Sequence, residues 1–191
     1  MIKLIPVSYL IGSIPFAYIF SWIWSKVDIR AIGSENVGTT NVFKEIGFLP
    51  GVLTGVFDGL KGLVAVLIGG AAGLNGEFIA LIAAMAGHIW PVWLKFHGGG
   101  GLATFIGGML LISEWWVVLL LLGIWGAAYL IFKKHDLSAI IACYICPFLL
   151  GIIYSSWRHF LFGVGAACVV GMKRMQSIRK NHREPAMNHS A

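Results

Sequence analysis

The feature that most constrains this chain is the length of its apolar runs. The first run covers residues 4–24, and a helix needs roughly 20 apolar residues to cross a bilayer. Only 12% of the 191 residues are charged and 58% are hydrophobic, whereas about 25% of the residues in a soluble domain are charged. Because a bilayer offers the backbone no hydrogen-bond partners, helices are the natural way to cross it. The sequence therefore predicts an all-α integral membrane protein.

Seven apolar segments are predicted along the chain. They lie near residues 4–24, 51–73, 78–94, 101–113, 115–132, 137–155 and 158–172. The fourth segment is short, which is tolerated where a helix is buried against protein, and Ser113-Glu114 separates it from the fifth. Residues 25–50 form the only sizeable polar connection. We expect a seven-span helical bundle that makes one transmembrane domain over residues 1–191, with a basic tail from about 173 to 191.

The basic residues predict how the bundle is oriented. With the N-terminus outside, the inside connections and the tail hold eleven of the fourteen Lys and Arg residues, and the outside holds Lys3 and Arg158. By the positive-inside rule, the C-terminus is then cytoplasmic. The net charge of +6 is scattered over short connections, which indicates lipid headgroups as partners and excludes a nucleic-acid surface.

Four consecutive glycines, Gly98, Gly99, Gly100 and Gly101, join the third and fourth segments. Glycine is costly in regular structure, because it loses the most backbone freedom on ordering. Bare backbone N–H groups in such a turn can bind phosphate. A flexible turn between two spans is the alternative interpretation, and the neighbouring polar residues favour phosphate.

Two charged residues lie inside the second predicted span. Asp58 and Lys61 each cost at least ~2.5–3.5 kcal/mol in the bilayer if isolated. Their i, i+3 spacing lets them pair on one helix, or Lys61 could meet an anion in a polar cavity. His88, at the end of the third span, is either a structural residue or a general base, and a base needs a hydroxyl within hydrogen-bond reach.

The connection from residue 28 to 42, DIRAIGSENVGTTNV, is rich in short polar side chains. It has no apolar periodicity, so we expect a loop that is either merely solvated or suited to holding phosphate and hydroxyl groups. The glycines allow close backbone approach. Its candidate ligand-binding side chains are Ser34, Asn36, Thr39, Thr40 and Asn41.

Several enzyme classes are excluded by missing motifs. The sequence has no Cys/His cluster with zinc spacing, no HExxH, no GxSxG and no Walker A lysine. Cys143 and Cys146 have CxxC spacing, but they lie within an apolar run without a second pair, which favours packing. We expect neither a metal nor a cofactor.

Five motifs in order resemble the bacterial acyl-phosphate:glycerol-3-phosphate acyltransferases, the seven-span PlsY family. The resemblance runs along most of the chain, and the motifs lie on the same predicted cytoplasmic face. The motifs are Gly12-Ser13-Ile14-Pro15-Phe16-Ala17-Tyr18, then Ile29-Arg30 with the stretch from Gly33 to Val42, then Asp58-x-x-Lys61-Gly62, then Gly87-His88-x-x-Pro91-Val92, and finally Phe96-x-Gly98-Gly99-x-Gly101-x-Ala103-Thr104.

This resemblance implies an enzyme of the bacterial inner membrane whose active site faces the cytoplasm. It would move an acyl group from acyl phosphate to the 1-hydroxyl of sn-glycerol 3-phosphate, giving lysophosphatidate and inorganic phosphate, with a soluble acyl-phosphate-producing enzyme as a candidate partner. The implied catalytic residues are Ser34, His88 and Lys61. The implied substrate and phosphate contacts are Asn36, Thr40, Asn41, Lys44, Asp58, Gly98, Gly99, Gly100, Gly101, Lys173 and Gln176.

The chain also departs from the family pattern. Gly100 stands where the family has lysine, Glu35 where it has glycine, and Lys44 where it has arginine, which loses the bidentate fork of a guanidinium. The family's Arg-His-Arg-x-Asn matches only loosely, with Lys173 and Gln176 at the histidine and asparagine positions. These changes keep open a slow or substrate-shifted enzyme and a non-catalytic lipid-phosphate-binding membrane protein. A transporter for a phosphorylated solute is a third alternative, disfavoured because the chain lacks internal repeats.

Overall fold

The computed structural model describes residues 3–73 and 75–183, apart from the side chains of residues 135, 136 and 177–183. Within these ranges the chain forms nine α-helices and no strand, which confirms the predicted all-α class. The helices are α1 (Leu4–Ser13), α2 (Phe16–Ser25), α3 (Thr39–Glu45), α4 (Phe48–Ala71), α5 (Gly76–Ile89), α6 (Leu102–Ile112), α7 (Trp115–Phe132), α8 (His135–Ile153) and α9 (Trp157–Arg183). Two 3-10 turns lie at Ile29–Ala31 and Val92–Leu94.

Within the part of the chain that the structure describes, four helical stretches are long and apolar enough to cross a membrane. They are Leu4–Ser25, Phe48–Ala71, Gly76–Leu94 and Trp115–Phe132. Helix α6 has 11 residues, which corresponds to about 16 Å against a hydrocarbon core of about 30 Å. Helix α7 coincides with its predicted segment, and the predicted separation of α6 from α7 at Ser113-Glu114 is confirmed.

Two predicted segments end differently from expectation because of proline. The first segment was predicted to run unbroken over residues 4–24, but it divides between Ser13 and Phe16. Pro15 has no N–H to donate, and its ring clashes with the preceding turn. The third segment was predicted to reach Leu94, but α5 ends at Ile89, shortly before Pro91 disfavours helical geometry.

Two polar stretches are more helical than predicted. The expected loop over residues 28–42 contains the 3-10 turn and leads into α3, because Val42 is buried against Ile29 and Leu94. The tail predicted from about residue 173 is helical to Arg183, in keeping with the helix propensity of Lys, Arg, Met and Gln. The rest of that predicted tail, residues 184–191, lies outside the described residues.

The chain forms two compact units, Met1–Leu121 and Leu122–Ala191. In the first unit, α4 packs against α2, α3, α5 and α6, and α1 packs against α5. In the second unit, α8 packs against α9. The packing of α4 on α6 is close, because Gly62 lies against the main chain of Thr104 and Gly107 against that of Gly59.

We expect the substitution Gly62→Ala to destabilise the first unit. An added Cβ would overlap the carbonyl oxygen of Thr104, and overpacking of this kind costs about 1–3 kcal/mol, or roughly 2–12 °C in the melting temperature. The matched control on the same helix is Gly70→Ala, since a Cβ there meets nothing within 4 Å. Thermal unfolding in detergent distinguishes the two variants. Equal melting temperatures would contradict the close α4–α6 contact.

Candidate functional site

One buried amide holds the polar connection in shape. Asn41 is 3% exposed and donates from Nδ2 to the carbonyl oxygens of Ile29, at 3.2 Å, and Ile32, at 3.1 Å. Its Oδ1 accepts the N–H of Ser34 at 3.0 Å. An amide side chain can make about four hydrogen bonds, and three of them are used here within the protein. Asn41 therefore shapes the loop that presents Ser34, while its direct contact with substrate stays a prediction.

An apolar cluster anchors the same connection beneath its polar surface. Ile29, Val37 and Val42 are buried with Leu94 and with Ala17 of α2. Leu94 ends the 3-10 turn that comes just before the glycine run. The cluster thus fixes the polar connection next to the segment that leads into the four glycines.

The other predicted ligand-binding side chains of this connection are accessible. Ser34, Thr40 and Lys44 are exposed, and Asn36 is half-buried. Glu35 is also exposed and has a φ of 56°, a left-handed conformation that is uncommon outside glycine. The structure therefore leaves the side chains of Ser34, Thr40 and Lys44 accessible, in contrast to that of Asn41.

Asp28 and Arg30 form an ion pair at the start of the connection. The Arg30 guanidinium donates from Nη2 to Asp28 Oδ2 at 2.6 Å and from Nε to Oδ1 at 3.0 Å. This hydrogen bonding lowers the pKa of Asp28 below its ordinary 3.8. Since Arg30 is already engaged and its guanidinium carbon lies 5.4 Å from the centre of the Tyr18 ring, it supports the loop.

The four glycines divide into two pairs. The amides of Gly98 and Gly99 donate to the carbonyl oxygens of Ile89, at 3.0 Å, and His88, at 3.1 Å. These two amides are engaged with the end of α5, and their direct contact with phosphate stays a prediction. The amides of Gly100 and Gly101 meet no acceptor among the described residues, and Gly101, with a φ of 80°, precedes the first turn of α6. The free amides here are therefore those of Gly100, Gly101 and the helix N-terminus.

Asp58, Lys61 and His88 meet in the interior of the first unit. They are 1%, 4% and 6% exposed, respectively. Lys61 Nζ lies 2.8 Å from Asp58 Oδ1 and 3.0 Å from His88 Nδ1, which confirms that the two span charges pair with each other. Lys61 also donates to the carbonyl oxygens of Gly12, at 3.1 Å, and Ile14, at 2.9 Å. Its donors are thus engaged inside the protein, and direct action on substrate by Lys61 stays a prediction.

The polar connection, the glycine turn and this buried cluster come together at one point. A Cβ added to Gly99 would overlap both Nε2 of His88 and the carbonyl oxygen of Val37. A small cavity lies beside this contact, and its lining includes Ser13, Pro15, Val37, Lys61, His88 and Gly98. Candidate residues from three motifs are therefore close in space within the first unit.

The sequence did not predict that the division of the first segment, between Ser13 and Phe16, would supply carbonyl oxygens to the buried cluster. Gly12 and Ile14 contribute carbonyl oxygens to the cluster, although the motif that contains them was noted only for its resemblance. The available signal was Pro15 in the middle of an apolar run. Lys173 and Gln176 lie on α9 in the second unit, and their binding of substrate stays a prediction.

Comparison with known proteins shows similarity to one family along most of the chain. The sequence profile of the glycerol-3-phosphate acyltransferases matches residues 2–183. The protein named glycerol-3-phosphate acyltransferase in Desulforamulus reducens is 34% identical over 173 residues, which are 90% of this chain and 86% of that protein. The Ehrlichia chaffeensis protein of the same name is 43% identical over 153 residues, 79% of this chain and 77% of that protein.

Solved structures give the same result. The crystal structure of PlsY, an integral membrane glycerol 3-phosphate acyltransferase, in its glycerol 3-phosphate form has a TM-score of 0.81 and 27% identity, covering 96% of this chain and 92% of that one. The lysophosphatidic acid form has a TM-score of 0.79 and 26% identity. With its four apolar spanning helices, this chain is a multi-pass membrane protein, and it belongs to the glycerol-3-phosphate acyltransferase family.

Proposed function

We propose that this protein transfers a fatty acyl group from acyl phosphate to the 1-hydroxyl of sn-glycerol 3-phosphate in phospholipid synthesis. The observation that carries this proposal is the family match over residues 2–183. It is supported by the likeness to PlsY structures in glycerol 3-phosphate and lysophosphatidic acid forms, since those two molecules are the acceptor and the product of such a transfer.

The reaction needs little from the protein beyond alignment and charge stabilisation. The 1-hydroxyl oxygen attacks the acyl carbonyl carbon, the bond from that carbon to the phosphate oxygen breaks, and the hydroxyl proton ends on the released phosphate. Phosphate is a good leaving group, so holding two anionic substrates in place and stabilising the developing oxyanion supply most of the rate.

The first unit offers suitable groups for both tasks. Ser34, Asn36 and Thr40 would bind the substrates from the polar connection, and Lys44 is an exposed cation beside them. The amides of Gly100 and Gly101, with the N-terminus of α6, would receive a phosphate, because a helix N-terminus carries partial positive charge.

We place the site on the cytoplasmic side of a bacterial inner membrane, in a seven-span bundle with its N-terminus outside. Eleven of the fourteen basic residues support this orientation. A soluble enzyme that makes acyl phosphate would then reach the site directly. Glycerol 3-phosphate does not cross a sealed membrane, so inverted vesicles should use it when it is added from outside and right-side-out vesicles should not.

The experiment that tests the donor uses purified protein, labelled glycerol 3-phosphate and two acyl donors of equal chain length. We expect acyl phosphate to give lysophosphatidate and one equivalent of inorganic phosphate, and an acyl thioester to give at least tenfold less product. Equal product from the thioester would contradict acyl phosphate as the specific donor, but it would still agree with acyl transfer to glycerol 3-phosphate. Absence of product with both donors would favour a non-catalytic lipid-phosphate-binding protein, which Gly100 and Glu35 motivate.

A further inference from the structure

Lys61 joins the break in the first apolar segment to two other helices. In a continuous helix, the Gly12 carbonyl would accept the N–H of Phe16, but that N–H donates instead to Ile14. An unpaired carbonyl in a membrane interior is costly. Lys61 of α4 donates to the carbonyl oxygens of both Gly12 and Ile14, and its charge lies 5.5 Å from the centre of the Phe16 ring. The break is therefore held by a cation from another helix.

The position of Lys61 fixes the tautomer of His88. A lysine ammonium has three donors and no acceptor, so the ring nitrogen that lies 3.0 Å from Nζ, Nδ1 of His88, must accept. Asp58 Oδ1 lies 2.8 Å from Nζ and 3.5 Å from Nδ1, but it has no hydrogen-bonding geometry with either nitrogen. It therefore supplies the counter-charge, while the three Lys61 donors meet Gly12, Ile14 and His88. A neutral imidazole whose Nδ1 accepts carries its proton on Nε2.

That second ring nitrogen faces the glycine turn. Nε2 of His88 lies so near Gly99 that a Cβ there would overlap it, and the His88 carbonyl accepts the Gly99 N–H. The main chain of His88 thus holds Gly99, and its ring lies against the same residue. A ring nitrogen that already carries a proton cannot take one from a substrate hydroxyl, and Nδ1 is occupied by Lys61.

We propose that Asp58, Lys61 and His88 position the glycine turn and do not touch the substrate. Lys61 braces the helix break with Asp58 as its counter-ion, and His88 is a hydrogen-bond donor toward the turn and not a general base. The cluster holds the turn in the geometry in which the amides of Gly100 and Gly101 can meet a phosphate. This inference rests on the proposed acyl transfer and assigns a positioning role to two residues that the family resemblance suggested as catalytic.

The first test is His88→Gln. A glutamine amide can donate a hydrogen bond but cannot act as a base, and removal of a general base costs about 10²–10⁴ in rate. We expect kcat within tenfold of the wild-type value, with the limbs of the pH–rate profile unmoved. A loss of more than 100-fold together with disappearance of one limb would overturn the donor role.

The second test separates positioning from folding. Lys61→Met leaves Asp58 buried without its partner, whereas Lys61→Met with Asp58→Asn removes both charges, and removal of both members of a buried pair is far less destabilising than removal of one. We expect the double variant to recover only part of the melting temperature lost in Lys61→Met, because the carbonyl oxygens of Gly12 and Ile14 still lack their donor, while kcat/KM for glycerol 3-phosphate stays at least tenfold below wild type. Recovery of both quantities would show that the cluster serves folding alone.

The rate of amide hydrogen exchange over residues 98–104 tests the support of the glycine turn without any substrate. We expect faster exchange in the double variant than in the wild type at equal distance below the two melting temperatures, because the turn has lost its support. Unchanged exchange would overturn the positioning role, even if no acyl transfer were found. Conversely, wild-type protein without acyl transfer but with this exchange difference would refute the proposed function and leave the support of the turn established.

Discussion

Replacing Gly100 by lysine is expected to raise the rate of acyl transfer by about 10- to 150-fold. A hydrogen bond from a charged group is worth ~1.5–3 kcal/mol, and 1.36 kcal/mol corresponds to a tenfold change in rate. Gly100 is half-buried, its own amide is one of the free amides, and its φ is not positive, unlike that of Gly101. The backbone conformation is therefore not strained by a side chain at this position, and we expect the ammonium to be close to the phosphate that those amides bind.

The control for this prediction is Gly100→Gln, which adds polar bulk without charge. Measurement of kcat and KM for both substrates in the three proteins separates charge from size, and we expect no gain from glutamine. Activity that arises only in Gly100→Lys would identify the natural protein as a non-catalytic binder. A lysine variant slower than the wild type would contradict binding of phosphate at this turn.

The second large effect is expected at Asn41. Asn41→Ala leaves three main-chain groups without their partner: the carbonyl oxygens of Ile29 and Ile32 and the N–H of Ser34. Each buried unsatisfied group costs about 1–3 kcal/mol, so the ordered loop loses roughly 3 kcal/mol or more. If transfer needs the ordered loop, kcat/KM falls by about 100-fold or more.

The melting temperature distinguishes this local effect from unfolding. The three groups lie in one connection, so we expect the melting temperature of Asn41→Ala to fall by less than the roughly 6–12 °C that a global loss of 3 kcal/mol would cause. Asn41→Asp keeps the acceptor for Ser34 but turns a buried carboxylate oxygen toward the carbonyl oxygens of Ile29 and Ile32, so it should be no more active than Asn41→Ala. Ser113→Ala is the matched control, because it removes one side-chain hydrogen bond, to Met109, at the end of α6 away from the glycines. Full activity in Asn41→Ala would show that acyl transfer does not need the three hydrogen bonds of the Asn41 side chain.

The helices that no proline or charge interrupts were predictable from the length of their apolar runs. Helix α7 has the same limits as its predicted segment, and no proline or charge interrupts it. The break at Pro15 was not predicted, although proline was visible, because a membrane helix can retain a proline when another group satisfies the freed carbonyls. Whether it breaks or bends depends on a partner such as Lys61, which is 46 residues later in the chain.

The sequence predicted which residues belong to the site much better than it predicted what each of them does there. Ser34 and Asn41 belong to the same polar stretch, but Ser34 is exposed and Asn41 is buried. Burial there follows from the packing of Val37 and Val42 against Leu94, a contact across some 50 residues that has no local signature. Likewise, the spacing of Asp58 and Lys61 predicts their pairing but not the carbonyl oxygens that Lys61 meets.

The most direct test of the central claim is a comparison of wild-type protein with Ser34→Ala in one assay. Ser34 is exposed, so its hydroxyl can be removed without loss of packing. With acyl phosphate and glycerol 3-phosphate in proteoliposomes, we predict lysophosphatidate from the wild type and at least tenfold less from Ser34→Ala at an unchanged melting temperature. Equal rates in the two proteins would contradict the placement of the site at the polar connection, and no product from the wild type would contradict acyl transfer itself.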